Sequence, residues 1–308
     1  MPQISENKKN KDLTISIVSY NSLGFLKECL RSIFENPPAV DYSVIVVDNA
    51  SADGTSEFLK KNYPEIKLIL NDTNIGFAAA NNQAIKNSDS RYIILMNSDC
   101  EVYKKSLDNL VEFMDRNPDA GIAGPKIINS DGTVQMSCRR FPSLLDAAAH
   151  NILGDIFPDN PFSKKYKLAD IPRDNPSRVD WVSGSCMIIR RGALEDTGML
   201  DERYFMYVED VDICYRMWQK KWAVYYCPDA EIMHHIGGSA GGNEAGKIKS
   251  SYRMQKSAFY FFWKNYRKSW KILLIPLIIL VLGFRVLLTV IKTIFPKKNK
   301  GTCKTFKS

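Results

Sequence analysis

The chain has 308 residues, of which 25% are charged, enough to bury a substantial core in one large domain or two small ones. Its seven cysteines, Cys29, Cys100, Cys138, Cys186, Cys214, Cys227 and Cys303, show neither metal-knuckle spacing nor a disulfide framework; they exclude a stapled secreted scaffold and predict buried thiols in a reducing compartment. Charge is partitioned along the chain: residues 1–246 carry 27 Lys or Arg against 34 Asp or Glu, whereas Lys247 to Ser308 carry 15 Lys or Arg and no acid.

The polar stretch 1–11 reads as a disordered lead without the apolar run of a secretory signal, so the body that follows is expected in the cytoplasm. Apolar runs bounded by turn residues come next, Leu13 to Ser19, Ser43 to Val47, Lys67 to Leu70 and Tyr92 to Met96. Helical patterns lie between and after them, Leu23 to Phe34, Ser56 to Asn62, Ala78 to Asn87 and Ser106 to Arg116. Alternation of this kind predicts an α/β fold, a mostly parallel sheet with helices on both faces. Ligands of such sheets sit at the carboxyl ends of the strands. Those ends carry Ser19-Tyr20-Asn21, then Asp48-Asn49 running on to Thr55, then Asn97-Ser98-Asp99. Each is also good turn chemistry by itself; three on one sheet edge point to a cleft.

From Gly121 the runs shorten to IAGPKIIN and WVSGSCMIIRR. They are separated by Phe141 to Val179, rich in Pro, Asp and Lys, which reads as a functional loop region with one short helix over Leu144 to Leu153. In the basic tail, Ile272 to Ile291 is apolar apart from Pro276, Gly283 and Arg285, near the ~20 residues a spanning helix needs. Cations on both flanks favour an anionic membrane surface over nucleic acid. They also oppose a simple span, since both ends should stay on the cytoplasmic side and Arg285 would sit at depth. Single-pass, re-entrant and interfacial attachment, and a buried core helix, are all left open. The preceding SYRMQKSAFYFFWKNYRKSW mixes aromatics and cations as an interfacial helix does.

Seven stretches in order, VSYN, VVDNASADGT, NIGFAAANN, LMNSD, WVSGSCMIIRR, YVEDVDICYR and HHIGGSAG, cover about residues 12–245. Together they resemble the family 2 glycosyltransferases of GT-A fold, in particular the rhamnosyltransferase-like members. The resemblance implies a catalytic domain over 12–245 and an attachment tail over 246–308, with a C-terminal membrane-associated helical segment added to the GT-A sheet. It implies inverting transfer of one sugar, L-rhamnose first, from a dTDP- or UDP-sugar to a lipid-linked glycan at the cytoplasmic face of the membrane.

Physical chemistry suits the roles so implied. Asp48 can accept from the ring N–H of a uracil or thymine, and Tyr20, Asn21 and Asn74 border the nucleotide-sugar, with Gly76 permitting close backbone approach. The family's acid-x-acid motif falls on Asn97-Ser98-Asp99, leaving Asp99 as metal ligand and Asn97 beside the donor. A histidine before a small-residue turn, His234 or its neighbour His235, is the second ligand. Oxygen and imidazole donors suit Mn2+, with Mg2+ the alternative. Of the pair Glu209-Asp210, the second acid is the implied base and Glu209 orients the acceptor, although acids also favour a helix's first turn; Asp212 serves structure. Trp181 and Gly184 border the acceptor, Trp181 either as a sugar platform or as a core residue.

Other classes are disfavoured by residues. VSYNSLGFLK lacks the Gly-rich, Arg-containing loop of a nucleotidyltransferase, Gln219-Lys220-Lys221-Trp222 lacks the arginine of a processive synthase, and a catalytically dead scaffold would not keep Asp99, Asp210 and the histidines.

Overall fold

The computed structural model describes residues 11–141, 174–235 and 244–294. The chain divides into two compact units, Met1–Ser239 and Ala240–Ser308. In the first, β1 (Leu13–Ser19), β2 (Tyr42–Asp48), β3 (Lys67–Leu70) and β4 (Tyr92–Asn97) alternate with α1 (Leu23–Glu35), α2 (Thr55–Asn62) and α3 (Phe77–Lys86). Each lies within one residue of its expected bounds. The four strands are parallel, in the order β3-β2-β1-β4. β1 is buried along nearly its whole length, as a strand covered on both faces must be. α1 seals one face through Leu26, Cys29, Leu30 and Ile33, a helical stripe with core spacing.

The second half of this unit contains β5 (Cys100–Val102), α4 (Ser106–Arg116), β6 (Ala120–Asn129), β7 (Val134–Gln135), β8 (Cys138–Arg139), β9 (Ser177–Arg178), β10 (Trp181–Val182), β11 (Cys186–Arg190), α5 (Arg191–Thr197), α6 (Glu209–Gln219) and β12 (Ala223–His234). β11 inserts antiparallel between β4 and β6, and the sheet continues through β12 to β5. The sheet is therefore mixed, with a parallel half and a half that doubles back. The antiparallel β12–β5 ladder sets His234 opposite Cys100, so a histidine late in the chain arrives beside the Asp99 turn.

One core runs under both halves, with Ile15, Ile17, Val46, Ile94, Met96 and Ile188 among its fully enclosed side chains. The six cysteines of the described residues are buried and unbridged, and burial pushes the thiols of Cys186 and Cys227 up to about 12. The expected helix over Leu144 to Leu153, and the lead 1–10, lie outside the described residues.

The second unit contains α7 (Glu244–Tyr266), a 3-10 turn over Trp270–Leu274 and α8 (Ile275–Ile294). The run Ile272–Ile291 has a mean hydropathy of 2.7 and only 17% of it is buried, so it is not a core helix.

Candidate active site

Glu209 and Asp210 open α6, and the backbone entering the helix is unusual. Tyr207 and Val208 both adopt left-handed φ angles, +71° and +72°. A β-branched residue there is disfavoured and persists only where surrounding structure imposes it. The bend turns the first turn of α6 toward Gly184. Asp210 accepts from the N–H of Gly184 at 3.0 Å and of Val211 at 2.8 Å. A Cβ on Gly184 would stand 3.4 Å from that of Asp210, in van der Waals contact. Burial raises the proton affinity of Asp210, opposed by these two N–H donors and by the charge of Arg139. Glu209 is 5% exposed and its Oε2 has no hydrogen-bond partner among the described residues; burial first, and the neighbouring Asp210 charge second, push its carboxyl well above the usual range. Asp212 is different: fully buried, it pairs with Arg216 at 2.8 Å and accepts from the Tyr204 hydroxyl at 3.2 Å. Arg216 continues to the carbonyls of Thr197, Gly198 and Met199, so Asp212 anchors the loop that precedes the helix.

Asp99, Cys100 and His234 offer ligand atoms within 4.8 Å of one another. The His234 Nε2 faces Asp99 Oδ1 at 3.3 Å. Its Nδ1 lies 3.0 Å from Gln135 Oε1 and donates to it, which leaves Nε2 and the carboxylate as two acceptors facing each other unless a proton or cation lies between. That donor set fits a divalent ion. The Cys100 thiol instead donates to the Ser185 carbonyl at 3.3 Å. The His235 ring is turned elsewhere, Nε2 to Glu101 at 2.6 Å and Nδ1 to Ser130 at 2.7 Å. The structure thus brings His234, and not the His235 ring, to Asp99. Gln135, which orients His234, carried no signal in the sequence.

At the ends of β1 and β2 the polar residues are largely satisfied by one another. Asn21 accepts from the Ala52 N–H at 2.7 Å, and its own N–H donates to Ser51. Asp53 accepts from the Leu23 N–H at 2.8 Å and the Thr55 hydroxyl at 2.6 Å. Asp48, 3% exposed, accepts from the Ser51 N–H at 3.0 Å, and its second carboxylate oxygen has no protein partner among the described residues. Asn49 is the hub that sequence reasoning left unassigned. It donates to Asn74 Oδ1 and the Gly76 carbonyl and accepts from Asn71 and the Ile75 N–H, while Asn71 and Gln83 exchange two amide bonds.

Gly76 and Asn74 are also engaged within the chain itself. Gly76, at φ +92°, has no room for a Cβ because one would lie 2.5 Å from the Phe205 carbonyl oxygen; the close approach it permits is to the chain's own loop, where Phe77 N–H donates to Phe205 at 2.7 Å. Asn74 spends its side-chain oxygen on Asn49 and on the Gly76 N–H. Tyr20 stays 44% exposed at the cleft edge, and Asn97 is half-buried, its N–H donating to Ser185. Of the two places open to Trp181, the structure takes the core: the indole is 7% exposed, donates to the Arg140 carbonyl at 2.9 Å and lies under the Arg139 guanidinium.

A parallel half-sheet with a polar carboxyl edge, joined to an antiparallel half that delivers an acid pair and a histidine, is the GT-A arrangement of glycosyltransferases. The solved mannosyltransferase PcManGT from Pyrobaculum calidifontis, in complex with GDP-Man and Mn2+, superposes with a TM-score of 0.56 over 92% of this chain and 76% of its own at 16% identity. Residues 14–198 match Glycosyl transferase family 2, and the chain belongs to that family. It is 34% identical, over 84% of its length and 86% of the relative's, to the N-acetylglucosaminyl-diphospho-decaprenol L-rhamnosyltransferase of Mycobacterium tuberculosis. It is 25% identical to the rhamnosyltransferase WbbL of Escherichia coli over 72% of this chain and 82% of that one.

Proposed function

We propose that this glycosyltransferase moves one sugar, L-rhamnose first, with inversion, from a dTDP- or UDP-linked donor to a lipid-linked glycan growing at the cytoplasmic face of the membrane. The observation that carries the sugar and acceptor class is the near full-length likeness to a rhamnosyltransferase named for a decaprenol-linked N-acetylglucosamine. In this reading residues 12–245 are catalytic and 246–308 hold the enzyme at the membrane, with no nucleic-acid partner.

Asp210 is the base. Its carboxylate is held by two N–H donors, so its orientation needs no reorganisation, and its raised proton affinity suits a group that must accept a proton near neutral pH. The acceptor oxygen bonds to the anomeric carbon as its proton passes to Asp210, and the nucleoside diphosphate departs from the opposite face. Glu209, adjacent and buried, orients the acceptor. Asp48, through the oxygen not used by Ser51, takes the N–H of the nucleobase, and Tyr20, Asn21, Asn74 and Asn97 border the donor. Asp99 and His234 would hold Mn2+, or Mg2+, which offsets the charge gained by the diphosphate as it leaves.

The test is a nucleotide-sugar panel given to the purified full chain with manganese and a polyprenyl-diphosphate-linked acceptor, read as nucleoside diphosphate released. Release from dTDP-rhamnose is expected to exceed that from the other donors. Silence across the whole panel ends the reading.

A further inference from the structure

The turn between β10 and β11 connects the two chemical ends of the cleft through one residue. The antiparallel ladder that sets Cys186 against Met96 continues to Ser185, whose carbonyl accepts from the Asn97 N–H at 2.9 Å and from the Cys100 thiol at 3.3 Å. Those two residues bracket Ser98 and Asp99. On its other side Ser185 follows Gly184, whose N–H holds the Asp210 carboxylate at 3.0 Å. Ser185 is thus bonded to the strand end that carries the proposed metal ligand and joined covalently to the residue that holds the proposed base.

Its side chain has no matching structural task. Ser185 is 4% exposed, yet its Oγ has no hydrogen-bond partner among the described residues. Neighbouring serines differ: Ser183 Oγ accepts from the Ser185 N–H at 3.3 Å, and the Ser98 and Ser22 hydroxyls share a hydrogen bond of 2.8 Å. A buried hydroxyl without a partner forfeits the hydration it had in the unfolded chain, a loss that alanine would not incur. The Oε2 of Glu209, one residue before Asp210, stands in the same condition. A single hydrogen bond from Gly184 to Asp210 therefore joins two dipeptides, Gly184-Ser185 and Glu209-Asp210, that each carry an unmet buried polar atom.

What would meet the Ser185 hydroxyl follows from where the reacting atoms lie. In the mechanism proposed above, the anomeric carbon stands between the base at Asp210 and the diphosphate departing toward Asp99 and His234. The transferred sugar ring then occupies the span that Ser185 connects. A diphosphate or a metal ion would call for charge, and Ser185 is neutral. A sugar hydroxyl both donates and accepts, as serine does, so the pair needs neither ionisation nor a fixed tautomer.

We propose that the Ser185 hydroxyl hydrogen-bonds a ring hydroxyl of the transferred sugar and makes the enzyme select donors that carry it. A site built to bond a hydroxyl rejects an analogue lacking it, because the protein group is then left buried and unpaired. The inference rests on the base and metal roles proposed above and adds a contact that those roles do not contain.

The full chain, with manganese and the polyprenyl-diphosphate-linked acceptor, is given the donor that the nucleotide-sugar panel selects, dTDP-L-rhamnose by expectation, and its analogues that each lack one ring hydroxyl. Ser185→Ala should lower kcat/KM for the complete donor by about tenfold, whereas for one analogue the parent and the variant should be nearly equal. Comparing the two enzymes on the same donor cancels the intrinsic reactivity that removing a hydroxyl changes, and the non-additivity isolates the contact. Penalties of the same size in parent and variant for every analogue overturn the proposal. A second measurement needs no donor: Ser185→Ala should melt no lower than the parent, and a fall of several degrees also overturns the proposal by revealing a structural contact for the hydroxyl. A parent enzyme silent on every donor ends the sugar-transfer reading, while an active parent with additive penalties ends only this one.

Discussion

The two walls of the cleft differ in how far their polar groups are engaged. After β1, β2 and β3, the side chains of Asn21, Asn49, Asn71, Asn74 and, from α3, Gln83 bond to one another or to loop N–H groups, so apart from the carboxylates of Asp48 and Asp53 this edge is shaped by neutral amides that are already engaged. Across the cleft, Glu209 and Asp210 sit together in a buried first turn that raises both carboxyls, and Asp99 faces the His234 nitrogen. Neutral, saturated groups give a rigid mould for a ligand, while buried charges hold reactivity that folding alone would not select. Engaged amides on one side and buried acids on the other match the separation of binding from chemistry that the proposed roles call for.

The separation breaks most visibly if Asp210 is merely a favourable charge at a helix start. Asp210→Asn keeps the shape and removes the base, so transfer should fall by about a thousandfold with donor KM little changed and Tm unchanged or raised. A stability loss with transfer intact would return Asp210 to the helix dipole. Next in size is His234→Ala. It should raise the manganese concentration that transfer needs by about a hundredfold, as loss of a metal-ordering group does, whereas His235→Ala, whose ring is engaged by Glu101 and Ser130, should leave the manganese titration nearly unmoved. Equal effects from the two would remove the distinction between these rings.

On the neutral side the sharper probe is Gly76→Ala. The added methyl would meet the Phe205 carbonyl at 2.5 Å in a backbone region nearly closed to alanine, a cost of about 1–3 kcal/mol from conformation alone. Thermal unfolding should drop by several degrees, and transfer should fall as well because Phe205 lies four residues before Glu209. An unchanged Tm would mean that Gly76 is not held against this loop.

This glycine also marks where sequence reading stopped. β1 to β4 and their helices were legible to within a residue, because apolar period and turn residues are local signals. The cluster of Asp99 with His234 was legible only through family resemblance, since the β12–β5 ladder that joins them connects residues more than a hundred positions apart. Gly76 was read as a place of close backbone approach, and the structure adds the Phe205 carbonyl as a neighbour that the sequence did not name, as glycine records that space is needed and not what fills it. The amide hub at Asn49 looked like ordinary turn composition, and Gln135 had no pattern at all.

The smallest effect carries the most diagnostic sign. Glu209 has a folded-state proton affinity above the ordinary carboxylate value, so the folded protein holds a proton there that the unfolded chain releases. Stability from this position is then lost as pH rises from the normal carboxylate range toward the raised value. Glu209→Gln removes that dependence. The variant should match the parent in acid and become progressively more stable than it as pH rises, which paired thermal melts across pH 5–8 would measure on the order of a few degrees. Because Glu209 already holds its proton where Asp210 titrates, the same change should leave the acidic limb of the kcat/KM profile in place. Parallel melting curves would show that Glu209 does not hold its proton above the ordinary carboxylate range, and the tension assigned to this side of the cleft would then belong to Asp210 alone.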